Sequence, residues 1–445
     1  MPEDPQYADL FLYNGIMNKE NYLPITQELI RLVEENGELE HLLKKSILQA
    51  KETNPDPLTN PVDSLESYYA FLDRSVQAMP WEIHPEGVFT TLYDRIDQSM
   101  GCLYYICEQP LDELSGKGYY HNSLLYHEPY RSWFIRMIQE CGRFLETPGS
   151  WNVQYFLTAL ANPDFHLGDG LYEDPAEWKS FNDFFARKLR DPSLRPIASP
   201  EDDHVVVSPA DAAVQAFLRI DAESRIIAEE KDYGRGITVK TATLSNIPAL
   251  LSDSQYAHAF ANGTLTHTFL DVFDYHRYHF PVSGTVKEIY RIPGHVAPGG
   301  VIIWDKDLGK YKEYCSEDVG WQSIETRGVI VLELNTGGLA AILPVGMCQV
   351  SSVNFEPEIV PGKAVRKGDP MGCFRFGGSN IIMIFSEEAG FTMTAEPFVH
   401  LDTGQAYGLL KKQLKTPSQG FFISGYSAYF FLAARFFVFA PFFRL

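Results

Sequence analysis

Three short stretches hold residue types that could do chemistry together. FGGSN, residues 376–380, sets Ser379 behind Gly377 and Gly378 and ahead of the apolar run Ile381–Phe385. Paired glycines admit backbone conformations that a side chain forbids and let other groups approach closely. FDYHRYHFPVSG, residues 273–284, carries His276 and His279 three apart among aromatics. On a helix that spacing shares one face, on a strand it splits the imidazoles between two, and Pro281 argues against a continuing helix. A metal pair is therefore not expected here, and acid/base work or a structural role remains. SPADAAV, residues 208–214, puts Asp211 after a Ser-Pro-Ala turn. Such an aspartate forms turns, or it orients a histidine in an acid–base–nucleophile set. Asp211, His279 and Ser379 form such a set in chain order, although sequence alone cannot bring them together in space. Each stretch also has a plain reading: a glycine turn with a surface serine, two structural histidines, a turn-forming aspartate.

The elements that must position these residues fall into two parts. Residues 24–50 carry Leu29, Ile30, Leu32, Val33, Leu39, Leu42, Leu43 and Ile47 at helical spacings, and residues 129–146 repeat the pattern with Trp133, Phe134, Met137, Ile138 and Phe144. Ser180 and Asp183 stand at capping-box spacing and predict a short helix over 180–190. Beyond Pro196 the chain reads as β segments: 205–217, 280–292, 328–346 and 374–385. The last two place apolar residues on either side of Gly-Gly pairs, a hairpin pattern. The expected fold is α+β, a helical N-terminal domain followed by a mostly antiparallel β catalytic domain. The expected boundaries are 1–165 for the helical part, 166–416 for the catalytic part and 417–445 for an apolar aromatic tail.

The chain has 445 residues, 45% hydrophobic and 21% charged, as in ordinary globular proteins, and long enough to bury a core without disulfide staples. Its net charge of −21 argues against nucleic acid and against electrostatic docking on anionic lipid. Six scattered cysteines form no C-x-x-C pair and read as reduced thiols. The N-terminus lacks the features of a signal or transit peptide, so a cytoplasmic protein is expected. The stretch 420–445 leaves a membrane contact open. Phe421 to Phe443 just reaches the roughly 20 residues of a spanning helix. Arg435 inside it would cost about 2.5–3.5 kcal/mol near the bilayer centre.

Together SFNDFFARKLRDPSLRPI (180–197), SPADAAV, DYHRYHFPVSGTV (274–286) and VRKGDPMGCFRFGGSN (365–380) resemble, in order, the phosphatidylserine decarboxylase family of pyruvoyl-dependent enzymes. The N-terminal helical part is similar to that of a soluble fungal branch that decarboxylates free tryptophan. The resemblance implies a self-cleaving zymogen. Ser379 attacks the Gly378 carbonyl, with His279 as base and Asp211 orienting it. Elimination then leaves Ser379 as the pyruvoyl cofactor at the head of a short α chain, associated with the β chain 1–378. The pyruvoyl group would form a Schiff base with the substrate amine, and His276 would lie near the substrate carboxylate. Where the family has Thr or Ser after the serine, this chain has Asn380, which can donate to an oxyanion; Gly377 supports the same turn. The tail extends past the family's usual end. The main expectation is decarboxylation of a free aromatic L-amino acid, tryptophan favoured, by a cytoplasmic enzyme, possible as a homodimer. Phosphatidylserine decarboxylation is the alternative and a non-catalytic scaffold the lesser one. Tyr119, Tyr120 and Tyr126 could stack on an aromatic substrate, although core packing is the expected role.

Overall fold

A computed structural model describes residues 18–117, 121–227, 246–298, 300–314, 321–349 and 352–412. Tyr119, Tyr120, Cys315 and the tail 417–445 lie outside the described residues. Among these residues the α-helices are α1 (Pro24–Glu35), α2 (Gly37–Thr53), α3 (Leu65–Val76), α4 (Leu92–Tyr105), α5 (Tyr130–Leu145), α6 (Val153–Leu160), α7 (Phe181–Phe185) and α8 (Ile247–Leu251). The strands are β1 (Val205–Val207), β2 (Ala212–Ile220), β3 (Ile226–Ile227), β4 (Thr264–Leu270), β5 (Arg277–His279) and β6 (Gly284–Ile292). They continue with β7 (Val301–Asp305), β8 (Lys310–Tyr314), β9 (Thr326–Leu334), β10 (Leu339–Met347), β11 (Val353–Phe355) and β12 (Ala364–Val365). The last are β13 (Pro370–Phe374), β14 (Gly378–Phe385), β15 (Thr392–Met393), β16 (His400–Leu401) and β17 (Ala406–Leu409). Among the described residues seven α-helices precede the first strand, so the α+β expectation holds.

The helical pattern over 24–50 is two helices rather than one. Asn36 interrupts it, and its side chain accepts the Leu39 N–H at 3.1 Å as the cap of α2. The apolar faces of α1 to α5 close on one core, which also takes in Val296, Ile302, Tyr311, Met347 and Cys348 from the β part. Tyr311 anchors the β7–β8 hairpin there: its backbone meets both amide atoms of Gln98, and its hydroxyl donates to Thr59 O at 2.7 Å. Gly101 lets α4 come that close, because a Cβ there would stand 2.6 Å from Tyr311 Cβ. Tyr126 belongs to this core, stacked 5.7 Å from His295.

A nine-stranded antiparallel sheet runs β12-β6-β9-β10-β14-β4-β2-β16, with β3 paired to β2. Strand alternation splits its residues between two cores. Ile381, Met383 and Phe385 face one, with Leu270, Ile342 and Val214. Ile382 and Ile384 face the other, against α8. The Gly337–Gly338 pair makes the expected hairpin between β9 and β10, both glycines at positive φ. The Gly377–Gly378 pair does not. Here β13 pairs with β5 and β11 in a separate three-stranded sheet, while β14 pairs with β10 and β4. The glycines carry the chain from one sheet to the other, and the hairpin expectation there is corrected. The five described cysteines are free, and no helix among the described residues is long and apolar enough to cross a membrane.

Candidate active site

Ser379 is the second residue of β14, held between Gly346 on β10 and Leu270 on β4. Gly377, just before, has φ 132°, a region open to glycine and strained for other residues. Alternation puts the Ser379 side chain on the face of Ile381 and Met383. It is wholly buried, and its Oγ has no hydrogen-bond partner among the described residues. A buried hydroxyl without a partner is costly and rare, which marks the site for chemistry or for a group absent here.

Asn380 points the other way. Its Oδ1 lies 2.9 Å from His267 Nε2 and its Nδ2 donates to Met347 Sδ at 2.7 Å. The expected donation by Asn380 to an oxyanion is not made in this structure: its Nδ2 is engaged by Met347 Sδ, and consecutive strand side chains face opposite sides of the sheet.

His276 sits just before β5, wholly buried, where Phe374 N–H donates to its carbonyl at 2.9 Å. Its Nδ1 lies 2.9 Å from Asp274 O, and Nε2 has no partner among the described residues. Donation from Nδ1 to that carbonyl fixes the tautomer and leaves Nε2 a bare lone pair. Burial, with the nearby Arg187 charge, pushes its pKa down to about 3, so the ring stays neutral. Phe185 stacks on it at 3.8 Å. That ring comes from α7, whose capping box forms with both Ser180 and Asp183 bonds present, as the spacing predicts. From the same helix Asn182 Oδ1 accepts the Phe376 N–H at 3.1 Å, tying α7 to the segment that leads into β14.

Sequence reasoning missed Arg187. Fully buried, it donates to Phe273 O at 2.7 Å, Asp274 O at 3.1 Å and Tyr172 OH at 3.3 Å, with its guanidinium 4.4 Å from the Tyr172 ring. Among the described residues no carboxylate pairs with it; carbonyl dipoles and aromatic faces surround it. A cation inside the run FFAR was the only available signal.

His279 lies at the far end of β5, opposite Pro370. Its Nδ1 is 2.9 Å from Gly368 O and its Nε2 3.2 Å from Tyr275 OH. Burial lowers its pKa, with Arg277 adding to this and Gly368 and Asp211 opposing it. The turn bearing Asp211 reaches β5 through the His279 N–H, which donates to Pro209 O at 2.8 Å. Yet Asp211 does not hydrogen-bond His279. Its carboxylate takes the Arg195 fork at 3.1 and 2.6 Å, and both the N–H and the hydroxyl of Thr403, at 2.7 and 2.8 Å. Three of those donors converge on Oδ1 and one on Oδ2, so Arg195 and Thr403, not the histidine, hold the carboxylate. Asp211 thus acts on His279 through its field in this uncut chain. Nor does a hydrogen bond join Ser379 to either histidine. Arg195 and Thr403 are further residues that sequence reasoning missed; Thr403 is 192 positions from Asp211 and has no local signal.

A sequence profile described as phosphatidylserine decarboxylase matches residues 181–409, from the first residue of α7 to the last of β17. Phosphatidylserine decarboxylase proenzyme 2 of Oryza sativa subsp. japonica is 32% identical over 218 residues, 49% of this chain and 31% of that protein. The phosphatidylserine decarboxylase proenzyme of Chlamydia trachomatis serovar L2 is 30% identical over 212 residues, 48% of this chain and 61% of that one. That of Vibrio cholerae serotype O1 is 28% identical over 265 residues, 53% and 83% respectively. The chain thus spans less than two thirds of the first two relatives. Ser379, both histidines, Asp211, Arg187 and Arg195 all fall inside the matched span, and the chain belongs to the phosphatidylserine decarboxylase family.

Proposed function

We propose that this chain is a proenzyme that cuts itself between Gly378 and Ser379 and then decarboxylates an amino-acid head group, that of phosphatidylserine being favoured by the names of its relatives. The observation that carries the reading is the buried, unpartnered Ser379 Oγ behind Gly377 and Gly378. In the cut, Ser379 Oγ bonds to the Gly378 carbonyl carbon, its proton leaves to a neutral histidine, and the C–N bond breaks as the Ser379 nitrogen takes a proton. Loss of the Ser379 α-proton then expels Gly378 as a carboxylate, and water releases the nitrogen as ammonia.

The pyruvoyl group so made from Ser379 fits this pocket: the serine is already sealed from solvent, and His276 Nε2 is a second buried polar atom without a partner. That group would supply the electron-withdrawing carbonyl that makes loss of CO2 possible. The chain's own residues do the rest. His276, neutral and with a bare Nε2, can take or return a proton in a site closed to water. Phe185 and Arg187 hold its ring and its tautomer through the stack and the shared Asp274 carbonyl. His279, bridged between Gly368 O and Tyr275 OH, is the base we assign to the cut, under the field of Asp211.

A free aromatic amino acid, tryptophan first, is the second reading. The net charge of −21 favours it, because such a surface is repelled by an anionic bilayer, and it goes with a cytoplasmic setting. Intact-mass spectrometry of the purified protein, followed by incubation with phosphatidylserine in mixed micelles, tryptophan, tyrosine and phenylalanine, tests both. Two chains meeting at Gly378/Ser379 and CO2 release from one substrate support the proposal, and the substrate that reacts chooses between the readings. Ser379→Ala is expected to stay one inactive chain; normal cutting by that variant would sink the assignment.

A further inference from the structure

A cavity of about 300 Å³ lies between the C-terminal half of α5 and the segment that enters the scissile bond. That is the lower end of the volumes that hold small ligands. Gln139, Arg143 and Glu146 wall it from α5, with Ser352, Arg375 and Phe376 facing them. The profile match begins at residue 181, so α5 supplies a wall from outside the span shared with the family.

Two features of the lining point to a ligand. Two guanidinium groups bear on the cavity, each held by a glutamate that a stronger anion could displace: Arg375 by Glu146, and Arg143 by Glu140 at 3.0 Å. Ser352 Oγ is closed off from solvent with no partner among the described residues. The cavity is also connected to the chemistry. The Phe376 ring lies 5.3 Å from that of Phe185, which stacks on His276.

The carboxylate that leaves as CO2 has little use for such a lining. Its loss is helped by water-poor, neutral surroundings, and a guanidinium would stabilise it before reaction. The neutral His276 and the Phe185 face provide those neutral surroundings instead. An arginine-bearing cavity two rings away suits a second anion on the same molecule.

We propose that this cavity is a specificity site for a phosphate group carried by the substrate, with Arg143 of α5 and Arg375 as its anion-binding residues. The inference rests on the decarboxylase reading above and adds the part that the helical region takes in it. Arg375 would exchange Glu146, and Arg143 would exchange Glu140, for the phosphate, Ser352 Oγ would donate to it, and any acyl chains would remain outside a space of this size.

The test is calorimetric titration of the purified, self-cut protein with glycerophosphoserine, L-serine, L-tryptophan and inorganic phosphate. Arg143→Gln and Arg375→Gln are each expected to weaken glycerophosphoserine about tenfold or more and to change L-serine less than twofold. Glu146→Gln, which removes the competing carboxylate, is expected to tighten it. That opposite sign cannot come from a misfolded variant. Unchanged glycerophosphoserine binding in both arginine variants, or an equal loss for L-serine or L-tryptophan, would overturn the proposal. Inorganic phosphate binding as tightly as glycerophosphoserine would assign the site to free phosphate and overturn the head-group role. A wild-type chain that never cuts at Gly378/Ser379 sinks the underlying reading instead, whereas a chain that cuts and releases CO2 but binds indifferently to both arginines sinks the cavity alone.

Discussion

Asn380→Ala separates a structural role for this side chain from a chemical one. The substitution removes the acceptor 2.9 Å from His267 Nε2 and the donor 2.7 Å from Met347 Sδ, both on the sheet face opposite Ser379. His267 is buried, and burial pushes its pKa down to about 4, so it remains neutral and loses a hydrogen bond it cannot replace with water. Stranding one buried group costs about 1–3 kcal/mol. Were Asn380 instead a donor to the oxyanion, its loss would slow cutting by about 10²–10³-fold. The two effects are read apart. Stability is measured by urea unfolding in a Ser379→Ala background, where the chain stays whole, with and without the second substitution. Cutting is followed by intact mass after synthesis of the Asn380→Ala chain. We expect a stability loss of about 1–3 kcal/mol, and a cutting rate changed by less than about tenfold, well short of an oxyanion donor's effect. A hundredfold slower cut with an unmoved unfolding midpoint would refute the facing argument.

Four further outcomes are expected. Arg187→Met should destabilise the fold by about 1.5–3 kcal/mol, the worth of hydrogen bonds from a charged group, and raise the pKa of His276, because a neighbouring positive charge is gone; urea unfolding and NMR titration of the imidazole read the two effects. The self-cutting rate should fall at a lower pH than the usual histidine range, since burial holds the pKa of both His276 and His279 below it. Stability should nevertheless decline as pH drops below about 6.5, because the unfolded chain then binds protons that buried His84 and His267, pushed down to about 4, refuse; each contributes about 2 kcal/mol of that loss by pH 5. Finally, the two chains made by the cut should co-elute on gel filtration without denaturant, and their separation there would contradict the strand pairing.

What the sequence revealed follows the range of the interaction. The α7 capping box needs only Ser180 and Asp183, three residues apart, and it forms as read. The Gly337–Gly338 hairpin joins strands that are neighbours in the chain. The Gly377–Gly378 pair carries an identical local signal, yet its flanking strands belong to different sheets, because glycines specify backbone freedom and not the partner. The Asn36-Gly37 break does not show in the spacing, because the apolar periodicity continues across it. Asn380 was assigned by its chemistry when period-two facing, once residues 378–385 are a strand, decides against it. The clamp on Asp211 is the opposite case. Arg195 lies within reach of local reasoning, but Thr403 arrives only when β16 pairs with β2. No spacing rule contains that contact.

A cut between Gly378 and Ser379, as proposed, would leave the site intact. Gly378 and Ser379 open β14, and β14 lies between β10 and β4, both from the N-terminal side of the cut. A break in an exposed loop would leave its new ends to solvent. A break here leaves a buried end fixed by ladders on both sides from Ser379 to Phe385. The supporting contacts cross the cut as well. Thr403, from the C-terminal chain, shares Asp211 with Arg195, from the N-terminal one, and His400 meets Asp274 at 2.9 Å in the same sense. Burial raises the pKa of Asp274, while its bond to His400 opposes that rise and lifts the histidine. Asp274 in turn presents the carbonyl that orients His276. The geometry around the reacting serine is therefore written across both chains, and the sheet that pairs them is what keeps it intact after the peptide bond is gone.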